Sequence, residues 1–384
     1  MSKIYFTGAH IVLPHMIIDD ACVLVEDDVI AAINPESGNG ARQVDLHGKT
    51  LIPGMIDLHC DALEKEVEPR PNVHFPLDFA CAQADKRNAA AGITTVYHAL
   101  SFANEELGVR NNKFAASVAR AMHDWNPHGL VDNRVHCRYE VTDPTAPEIL
   151  MELMDSEEMH LLSVMDHSPG QGQFKDITAF REFHSRTYKK TEAELDTLVQ
   201  NKLAQAEGAL ERIQTLIRAA RQQNIHIASH DDDTPEKVET LYNMGVGISE
   251  FPVNIESARA AHSRGMCTVF GAPNILRGKS QSGSIRALDA VIAGVADCLC
   301  ADYHPATLIM AVFRLPELTN ISLADAVRLV SVNPAQAAGL HDRGEIAVGK
   351  RADLVSVAKI NGLVQANCVY SGGKAVYEAR FDHG

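Results

Sequence analysis

The alternation of apolar and polar positions divides the chain into three stretches. Residues 3–50 carry short apolar runs, "KIYFTGAHIVL", "ACVLVEDDVIAAI" and "RQVDLHGKT", broken by Gly, Pro and Asn, which predicts strands joined by turns. The C-terminal "GKRADLVSVAKI" and "LVQANCVYSGGKAVYE" read the same way. Between them, apolar runs alternate with helical stretches, the pattern of βα units around a buried parallel sheet. Eight runs stand out: "GMIDLH", "GITTVYHAL", "RVHCRYEV", "HLLSVMDH", "NIHIASH", "VGISEFP", "CTVFGAP" and "CLCADYHP". The clearest helix spans 191–223, where apolar residues recur every three or four positions and charged residues take the rest.

Eight βα units predict a (β/α)8 TIM-like barrel, for which about 250 residues is typical. A doubly wound sheet is the competing arrangement, but it commonly has fewer strands and no flanking β pieces. The expected architecture is therefore α/β. The barrel would occupy 54–345, and a small β-sandwich domain would be built from both chain ends, 1–53 and 346–384.

A chain of 384 residues can bury a sizeable core, and 46% apolar with 22% charged residues is ordinary for a soluble protein. A net charge of −15 argues against a broad nucleic-acid or membrane-binding surface, though local cations could still hold an anion. The expected partner is a small molecule, with no nucleic acid and no membrane, and a homodimer is left open. No apolar run has the length of a membrane span, and the N-terminus lacks the basic-then-apolar pattern of a signal peptide. The eight Cys are scattered without a CxxC pair, so the expected compartment is a reducing cytoplasm.

Barrel enzymes carry their chemistry at the C-terminal ends of the strands. Most of the eight runs end in a side chain able to bind a metal: the first at His59 and Asp61, the third at Glu140, the fourth at His167, the fifth at His230 and the eighth at Asp302. Residues two apart on a strand share a face, so His59 and Asp61 are expected to point together into the barrel mouth. A charged loop with Glu64, Lys65 and Arg70 follows them. Three His and three carboxylates suit a divalent ion such as zinc, manganese or magnesium. Six ligands exceed the need of one catalytic zinc, which points to two ions sharing a carboxylate. With 18 His in the chain, a lone His is more often structural. His136 and His226, four residues before expected ligands and about 13 Å deeper along their strands, are assigned that role.

Other segments have the chemistry of anion sites. "GAPNILRGKSQSGSIRA" is rich in Gly and Ser and carries Arg277, Lys279, Ser280 and Arg286. Free backbone N–H groups, hydroxyls and cations are what phosphate oxygens require. "DHSPGQGQF" places Ser168 in a Gly-rich turn beside His167, and "EPRPN" sets Arg70 between two prolines. The charged segment before the 191–223 helix, with Arg181, Arg186, Tyr188, Lys189 and Lys190, is either a lid over an anionic ligand or a solvated hairpin.

The opening "PGMIDLHCD" and the closing "NPAQAAGLHDRGEIAVGKRADLV" resemble the amidohydrolase superfamily. Within it, "LHCDALEKEVEPRPNV", "SVMDHSPGQGQF", "ASHDD", "GAPNILRGKSQSG" and "ADYHPATL" resemble the α-D-ribose 1-methylphosphonate 5-triphosphate diphosphatases of the carbon–phosphorus lyase pathway. The resemblance implies a metal-dependent hydrolase that releases diphosphate from a ribosyl triphosphate. It further implies His59 and Asp61 as the first-strand metal pair, Glu140 as the carboxylate linking two metals, and His167 and His230 as the histidine ligands. Asp302 would be both ligand and general base. Ala62 and His304 depart from the family pattern, where Asn and Tyr are common. The same superfamily site equally supports hydrolysis of a C–N bond, as in a deacetylase or deaminase, and non-catalytic relatives form a third class.

Overall fold

The computed structural model describes the chain except residues 1, 39, 104–110, 169–170, 173–177, 179–180, 182–184, 186–190, 281–282 and 382–384. Arg186, Tyr188, Lys189 and Lys190 of the segment read as either lid or solvated hairpin lie outside the described residues. The N-terminal runs form β1 (Lys3–Val12), β2 (Ile17–Glu26), β3 (Val29–Ile33), β4 (Arg42–Asp45) and β5 (Thr50–Pro53). The eight central runs form β6 (Met55–Cys60), β7 (Ile93–Phe102), β8 (Asp132–Glu140), β9 (Leu161–Met165), β10 (His226–His230), β11 (Ile248–Glu250), β12 (Cys267–Gly271) and β13 (Cys298–Cys300). The C-terminus adds β14 (Leu354–Ile360), β15 (Leu363–Ser371) and β16 (Lys374–Glu378).

Strands β6 to β13 pair in sequence order, all parallel, with helices between them. Burial on both faces explains why β7 is buried at every position. Ile56, Leu58, Tyr97, Leu161, Ala228, Ile248 and Val269 fill the interior, packed with Ala335, Ala338 and Leu340 from the segment after the barrel. Both chain ends join in one mixed sheet, ordered β16-β15-β14-β5-β1-β2-β3 with β4 on β1. Here β5 is the hinge piece. It runs parallel to β1 and antiparallel to β14, then passes through Gly54 into the first barrel strand. Gly54 is required at that junction, because a Cβ there would overlap Thr94 Oγ1 and Asp353 Cβ.

The barrel closes between β6 and the residues just after β13. The Asp302 N–H donates to the His59 carbonyl (3.0 Å), and the Asp61 N–H donates to the Asp302 carbonyl (2.9 Å). Beneath them, buried Asp57 Oδ1 accepts from the backbone N–H of Ala301 (3.0 Å) and of His59 (3.2 Å). A carboxylate thus ties the first strand to the last.

Several local expectations change. The 191–223 helix is two helices, Glu192–Gln205 and Ala209–Gln222, because Gly208 adopts a left-handed φ of 77° between them. The charged loop after Asp61 begins as a helix, Ala62–Val67. No helix among the described residues is long and apolar enough to cross a membrane.

Asp57→Ala should destabilise the fold by about 2–4 kcal/mol, since two buried N–H groups lose their acceptor. Urea unfolding measures this. A loss within experimental error would show that the seam holds without the carboxylate.

Candidate metal centre

The strand ends converge on a cleft of about 520 Å³ lined by His59, Asp61, Arg138, His167, His230, Asp231 and Asp302, with Phe251 and Phe270 as apolar neighbours. Three residues just past their strands take left-handed backbone conformations: Asp231 (φ 55°), Phe251 (52°) and Asp302 (54°). Asp tolerates this region, whereas a bulky Phe rarely adopts it, and such strain clusters at functional sites. Each keeps its N–H in the ladder to the neighbouring strand: Asp231 to the Glu250 carbonyl, Phe251 to Val269 and Asp302 to His59.

Two His–carboxylate pairs organise the floor. His59 Nδ1 lies 3.0 Å from Glu250 Oε1, and both residues are buried. An ionised carboxylate can only accept, so Nδ1 carries the proton and Nε2 presents its lone pair. His167 Nδ1 lies 3.2 Å from Glu140 Oε2, while its Nε2 stands 3.6 Å from Asp231 Oδ2. Burial would lower the His167 pKa, but the hydrogen bonds to Asp231 and Glu140 outweigh it and raise it to about 9. Burial would raise the Glu140 carboxyl, yet Lys202, His167 and Thr142 together hold it down at about 2. Lys202 Nζ is 3.2 Å from Glu140 Oε1, and the Thr142 hydroxyl donates to the same oxygen at 2.8 Å.

Acids still outnumber cations here. Burial, then the neighbouring Asp61 carboxylate, pushes Asp302 up to about 8, and burial raises Asp57 to about 7. Asp61 Oδ1 and Glu250 Oε2 are buried without a hydrogen-bond partner among the described residues. Two groups of donor atoms are close enough to hold a metal ion: His59, His230 and Glu250, and His167, His230 and Asp231. The surplus of buried carboxylate oxygen beside imidazole nitrogen fits divalent cations.

The amidohydrolase family profile matches residues 50–376. The chain is also 35% identical over 382 residues to the α-D-ribose 1-methylphosphonate 5-triphosphate diphosphatase of Escherichia coli (strain K12), covering 94% of this chain and 100% of that protein. The chain belongs to the amidohydrolase family. Among solved structures, this amidohydrolase resembles a Xaa-Pro dipeptidase with bound methionine, at a TM-score of 0.65 and 14% identity over 98% of this chain and 100% of that one. N-acetylglucosamine-6-phosphate deacetylase from Pasteurella multocida gives 0.63 and 13%, over 97% and 99%. These likenesses are of fold.

Of the residues singled out in this amidohydrolase's sequence, His59, Asp61, His167, His230 and Asp302 meet at the cleft, as do Arg277, Lys279 and Ser280 on one wall. Glu140 is close by but belongs to neither metal-capable group, its oxygens being engaged by Lys202, Thr142 and His167. Arg70 is exposed and does not line the cleft. Lys65 lines it instead, because the helix starting at Ala62 turns Lys65, four residues beyond Asp61, onto the same side. Ser168 is buried outside the lining, and its hydroxyl has no hydrogen-bond partner among the described residues. Ala62 is buried, while His304 is exposed and does not line the cleft. Arg181, from the segment read as either lid or solvated hairpin, is engaged by Glu192 and Asp196. His226 is exposed at the start of β10. His136, assigned a remote structural place, instead packs edge-on against the His59 ring at 5.2 Å, with Nε2 3.7 Å from Glu250 Oε2. Tilted barrel strands bring residues at different depths into contact.

Arg138, Lys202, Asp231 and Glu250 were not among the residues singled out. Glu250 ends the "VGISEFP" run and was legible by the strand-end rule, as was Arg138 by its two-residue spacing from Glu140. Asp231 stood in the polar turn "ASHDDD". Lys202 carried no signal, being one charged position on a helix with many polar residues.

His230 belongs to both metal-capable groups. His230→Ala should therefore lose more bound metal than either His59→Ala or His167→Ala, measured by elemental analysis after desalting. Equal losses in all three variants would contradict the shared role. In chelator-treated protein, His167 contributes stability that is fully present below its unfolded pKa, about 6.5, and is lost as pH rises through its folded value of about 9. Thermal melts of wild type and His167→Gln should then differ at pH 6 and converge above pH 9.

Proposed function

We propose that this hydrolase converts α-D-ribose 1-methylphosphonate 5-triphosphate to the 5-phosphate and diphosphate in phosphonate catabolism by the carbon–phosphorus lyase route. One observation carries the reading: a chain of net charge −15 lines its cleft with Lys65, Arg277 and Lys279, beside Ser280 and Ser284. A neutral amide would not call for such a wall, whereas a triphosphate would. The activity of the Escherichia coli relative, matched over its full length, supports the same choice.

The cofactors this reading calls for are two divalent ions, drawn from zinc, manganese or magnesium. His59, Asp61, His167, His230 and Asp302 would hold them, with Glu140 orienting His167 and with Asp231 and Glu250 within reach. When bound, such ions supply an acidified water and positive charge against the phosphates. Asp302, at the cleft beside Asp61, takes the proton of the attacking water as general base. The water oxygen attacks one phosphorus of the α–β anhydride in line and the bridging P–O bond breaks, its electron pair leaving with diphosphate when the α-phosphorus is attacked and with the ribosyl 5-phosphate when the β-phosphorus is attacked. Arg277 and Lys279 hold the phosphate oxygens in place, because phosphoryl transfer depends chiefly on positioning and electrostatics. Tyr303, whose hydroxyl accepts from Arg277 Nη1 at 3.3 Å, keeps that guanidinium at the wall.

Diphosphate release from ribosyl triphosphates, assayed beside ammonia release from cyclic amidines and acetate release from N-acetyl sugars, tests the reading. Turnover confined to the C–N substrates would overturn it. Asp302→Asn should lower kcat by about 10²–10⁴ while retaining metal. Arg277→Ala and Lys279→Ala should each raise KM by roughly 3- to 30-fold. If both leave KM unchanged, the wall does not contact phosphate.

A further inference from the structure

Arg138 is a buried cation that the steps above do not use. It lies on β8 two residues before Glu140, so strand alternation puts both side chains on the inward face. It is 7% exposed and lines the cleft with His59, His230 and Asp302. Buried guanidinium groups normally face carboxylates, because an uncompensated charge inside a protein is strongly disfavoured. This fold follows that rule elsewhere. Equally buried Arg343 pairs with Asp132 (2.8 Å) and Asp342 (2.9 Å), and Lys202 pairs with Glu140. Among the described residues, no carboxylate forms an ion pair with Arg138. Its hydrogen-bond contact there is Nη2 to His230 Nε2 at 3.4 Å, an imidazole, and its Nε–H is buried with no acceptor. The charge is felt across the floor. After burial, Arg138 is the largest cause lowering the His59 pKa, and it opposes the rise at Asp302.

We propose that Arg138 is a catalytic anion anchor on the cleft floor. Its unused N–H groups donate to oxygens of the reacting phosphoryl group, while Arg277 and Lys279 hold the rest of the polyphosphate at the wall. This rests on the phosphoanhydride reading above and adds a contact at the reacting phosphorus. A planar guanidinium with free N–H groups matches phosphoryl oxygens, and the pairing strengthens as charge develops on them. Among the described residues no carboxylate answers this cation, so the anion completes the floor rather than merely docking on it.

The test uses metal-loaded full-length protein with inorganic diphosphate as probe, comparing wild type, Arg138→Met and Arg138→Lys. The expected result has four parts. Arg138→Met melts higher than wild type without ligand, because it removes an unpaired buried charge. It binds diphosphate at least about tenfold more weakly by calorimetry. It loses about 10²–10³ in kcat on the ribosyl triphosphate with metal content unchanged. Arg138→Lys, which keeps the charge without the planar fork, recovers part of both the affinity and the rate. Wild-type diphosphate affinity and kcat in Arg138→Met would overturn the proposal. Loss of metal in parallel with activity in both variants would also overturn it, since Arg138 would then serve His230 rather than the anion. If wild type releases no diphosphate from ribosyl triphosphates, the functional reading fails. The diphosphate-binding comparison then decides Arg138 separately, equal affinity in wild type and Arg138→Met overturning the anchor.

Discussion

The closure of the barrel between β6 and the residues after β13 is the constraint on which the rest depends. Asp57 and Ala301, 244 residues apart, are tied by a hydrogen bond from backbone to buried carboxylate. Two backbone bonds between His59, Asp61 and Asp302 complete the seam. A parallel sheet gains nothing from this last pairing until seven crossovers have already been made, so the seam is the least local strand pairing in the barrel. It is also the contact that brings the first-strand His59 and Asp61 beside Asp302. Closing the fold and assembling this side of the candidate metal centre are one event.

Charge balance explains the remaining arrangement. The ends of the barrel strands gather carboxylates in a volume where burial disfavours their ionised forms, which is why Asp302 and Asp57 are pushed up to about 8 and about 7. Protein cations relieve only part of this. Lys202 answers Glu140, and Glu140 in turn orients His167. On the opposite side Glu250 holds His59 so that Nε2 faces outward. The site thus has imidazoles aimed by carboxylates and carboxylates short of positive charge, the complement of a divalent cation. Apart from Arg138 on the floor, the cleft divides by sign: its His and Asp side chains come from the strand ends, and Lys65, Arg277 and Lys279 from the helices and loops that follow them.

The terminal sheet acts on the same seam. Through β5 and Gly54 the first barrel strand continues from a strand paired on both sides, to β1 and to β14. The Gly54 N–H donates to the Asp353 carbonyl at 2.8 Å, and the Met55 N–H to Gly92 at 3.1 Å. The strand that carries His59 is therefore anchored before it enters the barrel, by strands from both chain ends.

Much of this was legible in the order of residues. A parallel strand buried on both faces reads as an unbroken apolar run, so the eight barrel strands and the strand ends bearing His59, His167, His230 and Asp302 follow from local pattern alone. Gly208 also announced the helix break, though amphipathic periodicity masked it. What local pattern could not carry is distance between segments. It could not show that Arg70 stays away from the cleft while Lys65 lines it, since this depends on where the Ala62–Val67 helix begins. Nor could it show that Lys202, on a helix that reads as solvated, reaches Glu140. That His136 touches His59 follows from strand tilt, and that Arg138 is a buried cation without a carboxylate among the described residues follows from its surroundings. The sequence by itself determined the elements and most of the chemistry offered at their ends. Only tertiary structure decided which charges meet, because pairing is set by packing between segments remote in the chain, whereas burial periodicity is written within each segment.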